Sequence, residues 1–219
     1  MDPAEWFASL VRHQGAATHL DVFAGLIGAC FEPGGDVATV VRLLDELAAS
    51  VDPTFESVMS LFSDGRLIGN SAHYSDPRNS YLHQVLQRGL GIPISLSVCA
   101  IEVGRRVGLA IEGVGLPGHF MVSCGGRYGD PFRAGAIVGR TELEASWQRN
   151  TGARTPLDSV HLAPSSDRSI VLRMLNNLAQ TFLSRNDASA LATLARLRGC
   201  FDELQSERGE HARWMRHWN

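Results

Sequence analysis

The feature that most constrains this chain is a change of period at Gly108. Before it, apolar residues recur at helical spacing; after it, they alternate in short runs punctuated by glycine. Val37, Val40, Val41, Leu44 and Leu47 form an i, i+3/i+4 stripe, and Asp36, after the Gly34-Gly35 break, caps it. Further helices are expected at 4–11, over the nearly all-apolar Leu20–Phe31 run, after Pro53-Thr54, and from Tyr81 to Gly89. Ile92-Pro93 launches the last of the series, over 94–107, with Glu102 and Arg106 as an i, i+4 pair on its wet side. His83 reads as a surface residue.

Beyond Gly108 the residues 110–114 read as a strand, and His119 to Cys124, Gly125-Gly126 and Arg127 to Phe132 read as a hairpin. A short helix over 141–149 follows, then a polar stretch with a short strand at 160–162. Leu178 and Phe182, then Leu191, Leu194, Leu197, Phe201 and Leu204, mark two helices turning at Asn186-Asp187. The whole predicts an α+β chain: a main domain over 1–150, a linker over 151–166, and a helical hairpin tail over 167–219. That hairpin needs a surface to cover its apolar faces, either the main domain or a second chain.

Composition excludes several chemistries. All 20 basic residues are arginine, so there is no lysine for a Schiff base, a pyridoxal phosphate or a P-loop. A net charge of −3 gives no electrostatic case for nucleic acid. No apolar run reaches the length of a membrane span, and the acidic opening lacks the order of a signal peptide. A cytoplasmic chain with free thiols is expected. The four cysteines, Cys30, Cys99, Cys124 and Cys200, form no C-x-x-C pair, and the eight histidines no metal motif, so neither a metal nor a cofactor is expected.

Four blocks carry a resemblance. Tyr74-Ser75-Asp76-Pro77-Arg78-Asn79-Ser80-Tyr81-Leu82 is followed by Gly91-Ile92-Pro93-Ile94-Ser95-Leu96-Ser97. Then come Pro117-Gly118-His119-Phe120 with Asp130-Pro131-Phe132, and Arg173-Met174-Leu175-Asn176-Asn177-Leu178. In this order they resemble the SirB-like family, a bacterial branch of the transglutaminase-like superfamily with a tetratricopeptide-like tail. The resemblance implies a papain-like fold in which a nucleophile at a helix start faces a His and an Asp on neighbouring strands. Carried over, the His is His119 and the Asp is Asp130. The nucleophile position falls on Ser95, or on Ser97, where the parent superfamily has Cys.

Hairpin geometry reaches the same pair independently. A two-residue loop at Gly125-Gly126 sets Cys124 opposite Arg127 and Met121 opposite Asp130. His119 and Asp130 are then diagonal neighbours on one face, roughly 7 Å apart at the backbone. Two readings stay open. In one, Ser95, His119 and Asp130 form a Ser-His-Asp arrangement for amide or ester hydrolysis or acyl transfer, with Asn79 holding a substrate carbonyl. In the other, Ser95 and Asp130 are local caps and the chain is a catalytically inactive protein-binding or regulatory module. A helix terminus can ionise a thiol but not a hydroxyl, so His119 would have to remove the Ser95 proton. Either reading expects a protein or peptide as substrate or partner; the oligomeric state is left open.

Overall fold

Local capping sets the boundaries of most helices in the computed structural model, which describes residues 1–13, 20–116, 118–152, 157 and 159–201. Asp2 caps α1 (Pro3–Arg12), Asp36 caps α3 (Val37–Ala48), and Thr54 caps α4 (Phe55–Ser63), each through a side-chain oxygen on a first-turn N–H. Between them lies α2 (Leu20–Phe31), buried over Leu20–Gly28 apart from the half-covered Val22. Next come α5 (Leu82–Arg88), closed by Gly89 in the left-handed region, and α6 (Pro93–Arg106). A two-residue parallel pair joins β1 (Ile68–Gly69) to β2 (Leu90–Gly91).

The period change produces an antiparallel sheet of five strands in the order β6-β5-β4-β3-β7. These are β3 (Glu112–Leu116), β4 (His119–Cys124), β5 (Arg127–Asp130), β6 (Ala136–Val138) and β7 (Pro164–Ser165). The expected strand at 160–162 is instead a 3-10 turn, Ser159–Leu162; the strand that completes the sheet edge lies just beyond it. The linker expected over 151–166 therefore ends in the sheet. Among the helices after the sheet begins are α7 (Arg140–Thr151), α8 (Asp167–Ser184) and α9 (Ala188–Arg198).

Alternation along β4 divides its side chains between two apolar layers. Phe120 and Val122 join the large core with α2, α4 and α6; Met121 joins a smaller cluster with Val114, Leu116, Leu143, Leu157 and Leu162. The centre of the large core is α6, whose residues Pro93–Gly104 are all buried. Glu102 is part of that burial: it is 3% exposed, not on a wet face. It is tied to Arg105 and Arg106, and Arg106 also pairs with Asp21 and Asp45. Two guanidinium groups offset part of the cost of burying this carboxyl group in a helix covered all round.

The C-terminal helices dock on this same body. Val171, Met174, Leu175, Leu178 and Phe182 of α8 and Leu194 and Leu197 of α9 belong to the large core. Phe201 meets Phe7 edge-on at 6.0 Å, joining the two ends of the described chain. Leu204 and the Trp- and His-rich segment 211–219 lie outside the described residues. Among the described residues no helix is long and apolar enough to cross a membrane.

Candidate functional site

Gly125 and Gly126 both adopt positive φ, +57° and +79°, the geometry a two-residue hairpin loop requires and glycine supplies without strain. The register is Cys124 opposite Arg127, Ser123 opposite Tyr128, and Val122 opposite Gly129, as the loop length predicts. His119 and Asp130 consequently project on one side of the sheet, and their side chains meet: Nε2 donates to Asp130 Oδ2 at 2.7 Å. Oδ1 of the same carboxylate accepts from the N–H groups of Phe132 and Arg133 at 3.1 and 3.2 Å, capping the 3-10 turn Pro131–Arg133. Capping and pairing are thus shared between the two oxygens of one side chain. The Asp130 side chain is 5% exposed and has a fixed aim; that of His119 is 21% exposed. With Nε2 committed to Asp130, Nδ1 carries the ring's remaining lone pair in the neutral form.

His119 and Asp130 line a pocket of about 340 Å³ between the sheet and α7. Its apolar wall includes Met121, Leu143 and Trp147, and Arg133, Glu142 and Arg149 line its polar part. His119 also packs edge-on against Phe132, which packs likewise against Tyr74. Tyr74 lines a second, larger groove of about 830 Å³ with Asp76, Arg78, Arg88 and Arg185. Among the described residues no three His, Cys, Asp or Glu side chains are gathered to hold a metal ion.

Ser95 sits at the third position of α6, and its side chain turns back on the backbone. Oγ accepts from the Ile92 N–H at 3.0 Å and donates to the Asn79 carbonyl at 2.6 Å, with the Ile92 carbonyl at 3.1 Å. Ser95 is 0% exposed, and Gly91 passes so close that a Cβ there would lie 2.8 Å from Oγ. A hydroxyl has one proton, and the short bond to Asn79 uses it. Ser95 is not among the residues lining the His119 pocket. Ser97 is equally buried, and its Oγ has no hydrogen-bond partner among the described residues.

Asn79 is wholly buried and ties the 70–80 loop together. Nδ2 donates to the His73 carbonyl at 2.8 Å, and Oδ1 accepts from Asn70 Nδ2 at 3.1 Å. Asn70, absent from the sequence reading, holds His73 N–H in return. His83 departs from its surface assignment: it is 3% exposed, and Nε2 bonds Glu32 Oε2 at 2.6 Å. Gly28 and Gly35 make the room, since a Cβ on either would come within 2.8 Å of the imidazole ring. Burial pushes the Cys99 thiol up to about 12, with Glu102 adding to it, and the Cys30 thiol up to about 11. Neither is held as a ready thiolate.

Three comparisons bear on ancestry. The chain is 42% identical over 125 residues to a UPF0162 protein of Xylella fastidiosa (strain 9a5c), covering 54% of this chain and 44% of that protein. It is 33% identical over 144 residues to a UPF0162 protein of Vibrio cholerae, covering 63% and 53%. It is also 40% identical over 62 residues to F-box only protein 21 of Mus musculus, covering 28% of this chain and 10% of that protein. The matched stretch therefore spans about half the length of the UPF0162 relatives. No solved structure matches. The sequence profile of the transglutaminase-like superfamily matches residues 38–176, a span running from α3 through the His119–Asp130 hairpin into α8, and the chain belongs to that superfamily.

Proposed function

We propose that this chain is a transglutaminase-like domain that works by binding, taking a short segment of a protein partner at the His119–Asp130 pocket. The observation that carries this reading is the Ser95 hydroxyl, buried and spent on the Asn79 carbonyl at 2.6 Å. Nucleophilic attack would require that proton to move to His119, and the same motion would strip the Ile92 N–H of its acceptor. The pocket suits a binding role: apolar Met121, Leu143 and Trp147 stand beside the polar His119, Asp130, Arg133, Glu142 and Arg149, in a space of a size for one or two side chains. Its hallmark would be recognition that depends on His119.

The second reading is an amide or ester hydrolase or acyltransferase built on Ser95, His119 and Asp130. What favours it is the pair itself, whose 2.7 Å bond leaves Nδ1 as a base on a half-buried ring. Fluorophosphonate labelling read by intact mass, with a panel of activated esters, separates the two. The binding reading expects no adduct and no hydrolysis above the rate without protein. A single adduct on the wild type that is missing from Ser95→Ala establishes the enzyme instead. On the binding side, peptides selected from a random display library on the wild type should lose affinity for His119→Ala, a variant expected to melt near the wild type. Equal affinity for both proteins would remove the pocket from the proposal.

A further inference from the structure

The β3–β4 hairpin reaches past its support. β4 pairs with β5 only through Val122–Cys124, whereas His119, Phe120 and Met121 pair with β3 alone. On the other side β7 backs β3 only at Gly113 and Val114, so His119 is at the tip of a two-stranded stretch, Gly115–Leu116 with His119–Phe120, and two-stranded ribbons are marginal without further packing. Its side chain must nevertheless meet Asp130, which lies beyond the last paired residue of β5 with β4.

A side chain from outside the sheet bridges this stretch. Arg173, in the first half of α8, donates from Nη2 to the Leu116 carbonyl at 2.9 Å and to the His119 carbonyl at 2.7 Å. Those two residues are the last pair before the turn, so one nitrogen clamps both strands at the tip. The guanidinium lies over the Phe120 ring, 5.2 Å from its centroid. Gly115 leaves the space for it: a Cβ there would come within 2.8 Å of Nη1. Glycine, arginine and phenylalanine from three elements therefore fit one another at the point from which His119 projects.

We propose that Arg173 is a positioning residue for His119, and that the C-terminal helical hairpin thereby controls whether the His119–Asp130 site is assembled. The inference rests on the reading of that pocket as the functional site, and it names the element that regulates it. α8 is held to the body by its core residues Leu175, Leu178 and Phe182, so a partner or modification that lifts α8 would release the clamp and the imidazole together.

The test reads the imidazoles by nuclear magnetic resonance, with no substrate or partner present. His83, with its own 2.6 Å bond to Glu32, is an internal reference remote from Arg173 in the hydrogen-bond network. In Arg173→Met, the Nε2–H signal of His119 should broaden or vanish while that of His83 persists. The His119 amide should exchange about tenfold faster, because local opening becomes easier when the two clamping bonds are lost. Arg173→Lys should restore the signal in part, since both bonds come from a single nitrogen that an ammonium can replace. Gly115→Ala should reproduce the loss with the arginine still present, and it decides the matter should Arg173→Met not fold. An unchanged His119 signal in Gly115→Ala, or collapse of the His83 and His119 signals together, would overturn the proposal. A covalent adduct on Ser95 would end the binding reading but leave these outcomes as they stand.

Discussion

Ser95 and Ser97 stand two residues apart on α6, both 0% exposed, and the structure assigns their truncation opposite consequences. Ser95→Ala leaves two buried backbone groups without their partner, the Ile92 N–H and the Asn79 carbonyl. Each buried group so orphaned costs about 1–3 kcal/mol. The expected loss is about 3 kcal/mol. For a chain of this size, 1 kcal/mol moves the melting temperature by about 2–4 °C, so the midpoint should fall by roughly 6–12 °C. Ser97→Ala removes a hydroxyl that has no hydrogen-bond partner among the described residues and places the best helix former in mid-helix. Its midpoint should hold or rise by up to about 3 °C, the gain from deleting an unsatisfied buried group. Differential scanning calorimetry on the three proteins at one pH and concentration measures both shifts. An unchanged midpoint in Ser95→Ala would show that its hydroxyl is free rather than structural, and would return it to candidacy as a nucleophile. Equal losses in both variants would mean that packing, not hydrogen bonding, governs this helix start.

Burial raises Glu102 to about 7, Asp21 adding to the rise while Arg105 and Arg106 oppose it. From its ordinary value of about 4.5 up to about 7 the folded chain holds a proton that the unfolded chain has released, so stability contributed here falls as pH rises through that window. Urea midpoints should therefore drop more steeply between pH 5 and 8 in the wild type than in Glu102→Gln, and parallel profiles would refute the assignment. Ala134, at φ +51° just after the 3-10 turn that Asp130 caps, is a non-glycine residue in the left-handed region. Ala134→Gly should stabilise by about 1 kcal/mol, relief of that strain exceeding the entropic cost of glycine, as read by chemical denaturation; a loss would show that the methyl packs. With Cys99 wholly covered and its thiol at about 12, a disulfide reagent at pH 8 should leave it unlabelled in the native protein; peptide mapping that finds it among the fast-reacting thiols would contradict its burial. Leu178→Ala, in α8, should cost about 2–5 kcal/mol and lower one common transition rather than a separate tail transition, because its partners are those of the large core.

The His119–Asp130 pair was legible because it depends on short-range rules. Two adjacent glycines fix a loop of two residues, the loop fixes the register, and the register fixes which residues share a face. α3 was legible for the same reason, with its own cap at Asp36 and its own apolar stripe. What local pattern does not carry is the direction in which α6 turns its residues. A helix buried on every side has no wet face from which to take a phase, so Glu102 reads as exposed and Ser95 reads equally as a nucleophile or a local cap. The commitment of Ser95 depends on Asn79, sixteen residues away. His83 needed two glycines on and beside another helix, and β7 is two residues long, below the length at which alternation is visible.

The contact between Phe7 and Phe201 has a consequence for synthesis. The aromatic ring of α1 is completed only by a residue made 194 positions later. At about 5–20 residues per second, roughly 10–40 s separate the two on the ribosome. During that interval Phe7 and Phe23, which meet edge-on at 5.3 Å in the finished molecule, face a nascent chain that cannot yet cover them. Until residue 201 is made, the part of Phe7 that Phe201 covers in the finished molecule stays open, so the cover of α1 is completed long after α1 itself has been made.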